Sequence, residues 1–367
     1  MTRRVLVVGA GVAGLATARA LRGADFEVTV VERRPGAPLP GLGLNLPGNA
    51  VRALDALGVA EQVLAAGIPV TRREYRTARG RLLFAVDESA YWAGVAPSVC
   101  VRPGLVLDAL GTGQEVRRGV GVVRVDTSPH RPHVALSDGS EEVCDLVVGA
   151  DGVHSTVRGA VVTTTPRASV MTTASWRFVV PNPGVDCWTA WTGRGLALLL
   201  IPVHAGEAYG YASSSKGGAA GADPRWLAQA FARFPTPARR AVEGALERGR
   251  ASYHSPVEEI RIDTWHRGPV VLVGDAAHAT GPVWAQGAAG ALEDALVLAE
   301  MLGSRSDWTA AVSAWELRRR PRVDYVQAAT DRMSHLARLP DCLSHNLAPI
   351  AGPRAYRAAY GPLRERP

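Results

Sequence analysis

The chain has 367 residues, enough for two interlocked lobes sharing one site and too few for three independent domains. It is 47% hydrophobic with a mean hydropathy of +0.02, and no apolar run reaches the ~18 residues of a bilayer span, which excludes a transmembrane helix and predicts a soluble globular protein. The formal charge of +7 is carried by scattered arginines, with Lys216 the only lysine, so it is read as compositional bias and not as a nucleic-acid surface.

In chain order, Val5–Val8 reads as a short buried strand that runs straight into glycines and a helical pattern over Ala13–Leu21, unlike a signal peptide. A second apolar strand over Glu27–Val31 ends at Glu32 and completes a βαβ start. A Pro/Gly-rich loop, Pro35–Gly48, precedes a helix over Asn49–Leu57, and Val70–Thr77 with Leu82–Val86 flank Ala78-Arg79-Gly80 as a hairpin. Arg102-Pro103 opens a helix to Leu110. Val116–Val125 and His133–Leu136 are expected as strands of a small meander, and Leu146–Gly149 as a third buried strand back in the first sheet. Between Val170 and Ser213, segments rich in Trp, Val, Thr and Tyr, broken at Gly193-Arg194-Gly195 and His204-Ala205-Gly206, predict an antiparallel sheet that forms a substrate lobe. A small-residue loop (Ser213–Asp223), two short helices from Pro224 to Arg248, a strand over Val257–Ile262 and the apolar run Val270–Val273 follow, and the chain is mostly helical from Gly287.

Three segments carry chemistry. Gly9-Ala10-Gly11-Val12-Ala13-Gly14 lies between strand and helix, with Glu32 at the end of the next strand. Glycines there permit a tight turn and close approach of a pyrophosphate to a helix N-terminus, and the acid suits a ribose; this predicts a dinucleotide site without separating FAD from NAD. The second segment, Leu146 to Arg158, ends a buried strand in Asp151-Gly152 and offers Ser155 as a cap, and by itself is also compatible with an ordinary strand-to-helix turn. The third is Val270 to His278, containing Gly274-Asp275, followed by Pro282, Gln286-Gly287 and a helix with Leu292-Glu293-Asp294-Ala295. Cys100, Cys144, Cys187 and Cys342 show no C-x-x-C and no regular spacing, which predicts reduced thiols, a cytoplasmic setting and no metal site.

In this order and spacing, the three segments resemble the G-x-G-x-x-G, Asp-Gly and Gly-Asp motifs of the class A flavoprotein monooxygenases, over about residues 3–335. That family includes para-hydroxybenzoate, salicylate and kynurenine hydroxylases and polyketide-tailoring enzymes. The resemblance implies an α/β fold: a Rossmann-like FAD-binding domain of glutathione-reductase type, an inserted, mainly antiparallel-sheet substrate domain and a helical C-terminus. The boundaries it suggests are 1–70 with 98–168 and 262–335 for FAD, 71–97 with 169–261 for substrate, and a tail over 336–367 with no thioredoxin-like domain. It further implies that Gly9, Gly11, Val12, Ala13 and Gly14 cradle the pyrophosphate and that Glu32, beside Arg33, holds the adenosine ribose. Arg102 is placed near the pyrophosphate and ribityl chain, the stretch from Asp151 to Arg158 near FAD and NAD(P)H, and Asp275 on the ribityl chain. Pro282 to Ala288, including Gly287, is expected to lie along the isoalloxazine.

FAD is expected to bind non-covalently, with NADPH or NADH and O2 as co-substrates. A flavin C4a-hydroperoxide would carry the oxygen transfer, so no catalytic side chain and no metal are assigned. The helix starting near Gly287 would aim its N-terminus at the flavin N1 and C2 carbonyl region and favour the reduced anion by up to about 2 kcal/mol. The expected reaction is hydroxylation or epoxidation of a small hydrophobic, aromatic or polycyclic, secondary-metabolite-like substrate by a monomer or homodimer. Alternatives are a non-redox FAD-holding cyclase or tailoring protein and a geranylgeranyl-reductase-like enzyme. A halogenase is disfavoured, because Trp176-Arg177-Phe178-Val179-Val180-Pro181 lacks the second Trp of a W-x-W-x-I-P segment and Lys216 sits in a Ser/Gly loop.

Among individual residues, His278 is read as packing beneath the loop and not as a general base. Trp176, Trp191 and Trp284 are the candidate substrate contacts, although strand alternation lets only some of Trp176, Trp188 and Trp191 point inward. Arg81 and Tyr91-Trp92 are expected to be exposed, as is the run Arg318-Arg319-Arg320 with Arg322.

Overall fold

The strand Arg4–Val8 is nearly all aliphatic and buried, and it pairs in parallel with Leu146–Gly149 on one side and Glu27–Glu32 on the other. Continuous rather than alternating hydrophobicity is what a parallel strand covered on both faces requires. The computed structural model describes residues 3–22, 26–36, 42–127, 131–162, 169–214, 224–247, 253–336 and 339–367. In it the first sheet has six strands in the order His266–Arg267, Val270–Leu272, Leu146–Gly149, Arg4–Val8, Glu27–Glu32 and Val116–Arg118, parallel except at the His266–Arg267 edge. Most of the expected loop Ser213–Asp223, with Lys216, lies outside the described residues.

The expected meander strand Val116–Val125 is two strands. Gly119, at φ 77°, turns the chain, so Val116–Arg118 joins the parallel sheet while Val122–Asp126 starts a three-stranded meander with His133–Leu136 and Glu141–Val143. Within the Pro/Gly-rich stretch, Leu44–Leu46 pairs with Val99–Val101 and, through it, Ile68–Pro69. Two short helices, Ala60–Ala66 and Glu88–Trp92, escaped the sequence reading; the second is capped by Asp87, which accepts the N–H of Ala90 at 2.8 Å.

The second large sheet has seven strands: Tyr253–Glu259, Ser169–Pro181, Glu207–Ser214, Leu196–His204, Trp188–Gly193, Arg72–Thr77 and Leu82–Asp87. Pairing is antiparallel throughout except between Trp188–Gly193 and Arg72–Thr77. One face, with Trp176, Phe178, Trp191 and Leu198, packs on the helices Pro224–Phe231 and Thr236–Glu247. The other carries Tyr75, Val179, Trp188, Ile201 and Tyr209 and packs against Val70 and Cys100 of the first lobe. Three helices end the chain: Gln286–Ser304, Trp308–Leu336 and Asp341–Tyr360. The last, expected as part of a tail, instead buries Tyr356, Ala359 and Tyr360 against Trp92 and Trp284. Among the described residues no helix is long and apolar enough to cross a membrane.

Candidate active site

The glycine turn is dictated by space. Gly9 sits at φ 105°, and a Cβ there would lie 2.4 Å from the carbonyl oxygen of Ala150; a Cβ on Gly14 would lie 1.8 Å from the carbonyl oxygen of Gly9. Gly11, by contrast, opens onto free space at the start of the helix Val12–Arg22, whose first turn carries no acidic residue. Bare N–H groups facing an open groove suit an anion. Glu32 is folded back onto this turn, accepting the N–H groups of Ala10 and Arg34 at 2.8 Å each. Arg33 is exposed, its stem lying over Gly121.

Asp151 accepts the N–H groups of Thr156 (2.7 Å) and Val157 (3.2 Å) through Oδ2, while its buried Oδ1 has no partner among the described residues. Arg158, buried and capped through Ser155 Oγ, donates to the carbonyls of Val153 (2.7 Å) and Ala276 (3.0 Å). It is thereby a strut between the second and third segments. Gly274, at φ 58°, brings the third segment against the first, since a Cβ there would meet Ala13 Cβ at 2.8 Å.

The Asp275 carboxylate makes no hydrogen bond among the described residues and lies 3.8 Å, through Oδ1, from the position a Cβ would take on Gly287. It is exposed to water, while the protein packed around it disfavours its charged form and raises its pKa, with His278 and Arg177 partly opposing. After it, exposed Pro282 opens a 3-10 turn to Trp284, and Ala285 takes the left-handed conformation (φ 52°) to start the helix Gln286–Ser304 at Gly287 and Ala288.

Behind that helix start lies a buried ionic network. Asp294 contacts His278 Nε2 (2.7 Å), accepts the N–H of Gly274 (2.9 Å) and accepts Arg319 Nε (2.8 Å). Arg322 grips Glu293 with two bonds of 2.7 Å, and Asn49 donates to both Gln286 and Glu293. Burial alone would raise the pKa of Asp294, but His278 and Arg319 override it and lower it well below the carboxylate range. His278 is thus held as a structural residue. The arginine run is corrected in part: Arg319 is 1% exposed and Arg322 is largely covered, because each third or fourth residue of a helix shares a face and this face meets Glu293. Trp92 is likewise buried, at 1% exposure, beneath Tyr360.

Strand alternation settles the tryptophans. Trp176 stacks on Trp226 at 5.2 Å and Trp191 shares its helix-facing core, so the structure does not bring these two toward Asp275. Trp188 is on the opposite face, 5.0 Å from the ring of Tyr75, and the register puts Arg177, Tyr209 and Tyr211 on that face too. Trp284 packs edge-on against Tyr360, whose hydroxyl donates to the Trp284 carbonyl at 2.7 Å; its own indole N–H is buried without a partner among the described residues. Arg102 stands at the N-cap position of the helix Pro103–Gly111 without a side-chain capping bond, and its guanidinium pairs with Glu207 of the large sheet.

Sequence reading missed a second buried cluster: Arg73 pairs with Glu88, which also accepts Ser98 Oγ (2.8 Å) and the Tyr356 hydroxyl, while Arg73 donates to Tyr360 at 3.2 Å. Apart from Tyr356 and Tyr360, which share the last helix, these residues come from separate segments, and nothing in their spacing announces the meeting. The period-two pair Tyr209 and Tyr211 was a legible signal that went unused.

The family described as FAD binding domain matches residues 2–332. The chain belongs to this family. It is an FAD-dependent monooxygenase of the aromatic-hydroxylase type. It is 33% identical over 353 residues, 92% of its length and 88% of the relative's, to 3-amino-4-hydroxybenzoate 2-monooxygenase of Streptomyces cremeus. It is 32% identical over 339 residues to 2-heptyl-3-hydroxy-4(1H)-quinolone synthase of Pseudomonas aeruginosa, covering 88% and 86% of the two chains. Klebsiella pneumoniae HpxO complexed with FAD and uric acid superposes with a TM-score of 0.84 at 25% identity, covering 99% of this chain and 92% of that one. The residues present fit FAD: a tight glycine turn that leaves Gly11 facing open space, a helix N-terminus without acidic residues, and an exposed Asp275 carboxylate with no protein donor.

Proposed function

We propose that this flavoprotein hydroxylates a small, largely apolar aromatic or polycyclic ring, with NADPH or NADH and O2 as co-substrates, in the cytoplasm. The observation that carries the substrate class is the row of Tyr75, Trp188, Tyr209 and Tyr211 on the sheet face that also bears Arg177, whose charge reaches Asp275. Such side chains supply stacking area with polar tips and suit a flat ring carrying a few heteroatoms. The names of the relatives, a hydroxybenzoate monooxygenase and a quinolone synthase, lie in the same chemical class. Four free cysteines are in keeping with a reducing compartment.

In this reading Gly9, Gly11, Val12, Ala13 and Gly14 take the pyrophosphate, Glu32 the adenosine ribose and Asp275 the ribityl hydroxyls, with Asp151 and Arg102 nearby. The finer fold assignment is a glutathione-reductase-type domain (1–70, 98–168, 262–335) with an inserted substrate domain (71–97, 169–261). The bound cofactor supplies reduction by nicotinamide and activation of dioxygen. The protein supplies position and field. The N–H groups at the start of the helix Gln286–Ser304, a first turn without acidic residues, favour negative charge building beside them by up to about 2 kcal/mol. Tyr360 fixes the carbonyl of Trp284, and so the loop Pro282–Trp284, from behind. The apolar sheet face excludes water that would compete with the substrate.

The test is anaerobic reduction of the purified yellow protein by NADPH or NADH across a panel of hydroxybenzoates, quinolones and fused phenols, followed by isotopically labelled dioxygen. Faster flavin reduction with one ligand, and one labelled oxygen atom in its product, is expected. A protein that stays oxidised with both nicotinamides and every ligand would overturn the reading in favour of a non-redox FAD protein.

A further inference from the structure

Asn45 carries a buried amide with nothing to bond to. It lies in the strand Leu44–Leu46 and is 8% exposed, and neither its Nδ2 nor its Oδ1 has a hydrogen-bond partner among the described residues. Buried polar groups are rarely left so, and here a donor and an acceptor are unpaired together. Strand alternation fixes where the amide points. Leu46 and partly covered Leu44 pack into the core of the first lobe, as do Val99 and Val101 of the partner strand. Asn45 is therefore turned the other way, with Cys100 directly opposite it, and Cys100 shares a core cluster with Val179, Trp188 and Tyr209 of the large sheet. Two residues earlier, Gly43 lies so close to Tyr209 that a Cβ would meet its ring at 2.4 Å. Four residues later, Asn49 donates to Gln286, the first residue of the helix Gln286–Ser304, at 3.0 Å. The amide thus stands between the tyrosine-bearing sheet face and the start of that helix.

We propose that the Asn45 side chain binds the pyrimidine edge of the FAD isoalloxazine, donating to a ring carbonyl and accepting the ring N3–H. The inference rests on the reading that lays the isoalloxazine along Pro282–Ala288, at the start of the helix Gln286–Ser304. Hydrogen-bond chemistry selects this edge. An amide matches an imide, since each presents an N–H and a carbonyl side by side. The dimethylbenzene edge of the ring offers no hydrogen bond, the pyrophosphate offers acceptors only, and the ribityl hydroxyls fall to Asp275. A leucine would fill a similar volume at position 45 without an unpaired atom. The amide is therefore a cost to the FAD-free fold that a bound partner relieves.

Fluorescence titration of the FAD-free protein with FAD and with N3-methyl-FAD, whose ring nitrogen has no proton to donate, tests this without turnover. The parent protein is expected to prefer FAD by about tenfold or more. Asn45→Leu should bind FAD about tenfold more weakly and lose most of that preference. In the absence of FAD it should unfold at no lower urea concentration than the parent, since it removes only unpaired atoms. A parent that does not distinguish the two cofactors would overturn the proposal, as would a variant that binds FAD as tightly as the parent or is less stable without it. Unchanged FAD affinity with weakened substrate binding would reassign the amide to the substrate. Asp275→Asn is the control for the site itself. If it weakens FAD binding and Asn45→Leu does not, only the role of Asn45 falls; if neither does, the reading of the cofactor site falls with it.

Discussion

Asp275 and Asp294 flank one loop and are treated in opposite ways. Asp294 is completely covered, held by Arg319, His278 and the Gly274 N–H, and its pKa is lowered; Asp275 is exposed, with no hydrogen bond among the described residues, and its pKa is raised. A buried carboxylate with both oxygens engaged belongs to the framework, whereas an exposed carboxylate with no donor from the protein, its charged form already disfavoured, is open to a donor from outside the chain. The contrast separates scaffold from site more sharply than the motif does, because both aspartates belong to family segments.

Asp294→Asn is the largest test of that contrast. Removing one partner of a buried ion pair leaves Arg319 with only Glu293, which Arg322 shares, and costs up to about 3–5 kcal/mol at neutral pH. A lowered carboxylate pKa contributes stability above its unfolded value, near 4, and that contribution is lost as pH falls through the folded pKa. The deficit of the variant in urea unfolding should therefore narrow below about pH 4. An equal deficit at pH 7 and pH 3.5 would mean that Asp294 acts through hydrogen bonding and not charge.

Asp275→Asn should behave in the reverse way. The raised pKa means that its ionised form is a burden on the FAD-free fold above the ordinary aspartate range, relieved as pH falls, so the variant should be no less stable at pH 7. FAD affinity should weaken about tenfold to hundredfold, the usual worth of a hydrogen bond to a charged group. Fluorescence titration of the FAD-free protein reads this directly, and an unchanged affinity would remove Asp275 from the cofactor site.

These two residues also measure what was legible beforehand. The glycine turn, Glu32 and Gly274-Asp275 could be read because local backbone geometry forces those residue types into contiguous sequence. The split at Gly119 could have been read from the glycine itself. The Arg73, Glu88, Tyr356 and Tyr360 cluster could not, since it joins three elements, with residues up to 287 positions apart, and only tertiary packing brings them together. The tryptophans fall between. Alternation was known to divide them, but which face meets the first lobe depends on where the helices Pro224–Phe231 and Thr236–Glu247 dock.

The loop between the two aspartates is where framework meets site, and Tyr360→Phe probes it with a smaller effect. Losing the hydroxyl removes its bond to the Trp284 carbonyl and the one it accepts from buried Arg73, and should cost about 1–3 kcal/mol of stability. If that bond positions the loop, substrate-stimulated flavin reduction should slow several-fold while FAD affinity holds. A purely structural role would lower the melting temperature and leave the reduction rate alone.

Ala285→Gly acts on the same loop with the smallest effect and the opposite sign. Ala285 adopts φ 52°, ψ 36°, a conformation that costs an L-residue roughly 1–2 kcal/mol and costs glycine almost nothing. Set against the greater chain entropy that glycine loses on folding, a net change between zero and about +1 kcal/mol in stability is expected. The informative reading is kinetic. If the methyl group serves to hold the turn at Pro282–Trp284 in one conformation next to Asp275, the glycine variant will be as stable as the parent yet consume more nicotinamide per oxygenated product. If product and nicotinamide stay in their original ratio, the left-handed turn is imposed by the helix and the Tyr360 bond, and the side chain at 285 has no part in preparing the site.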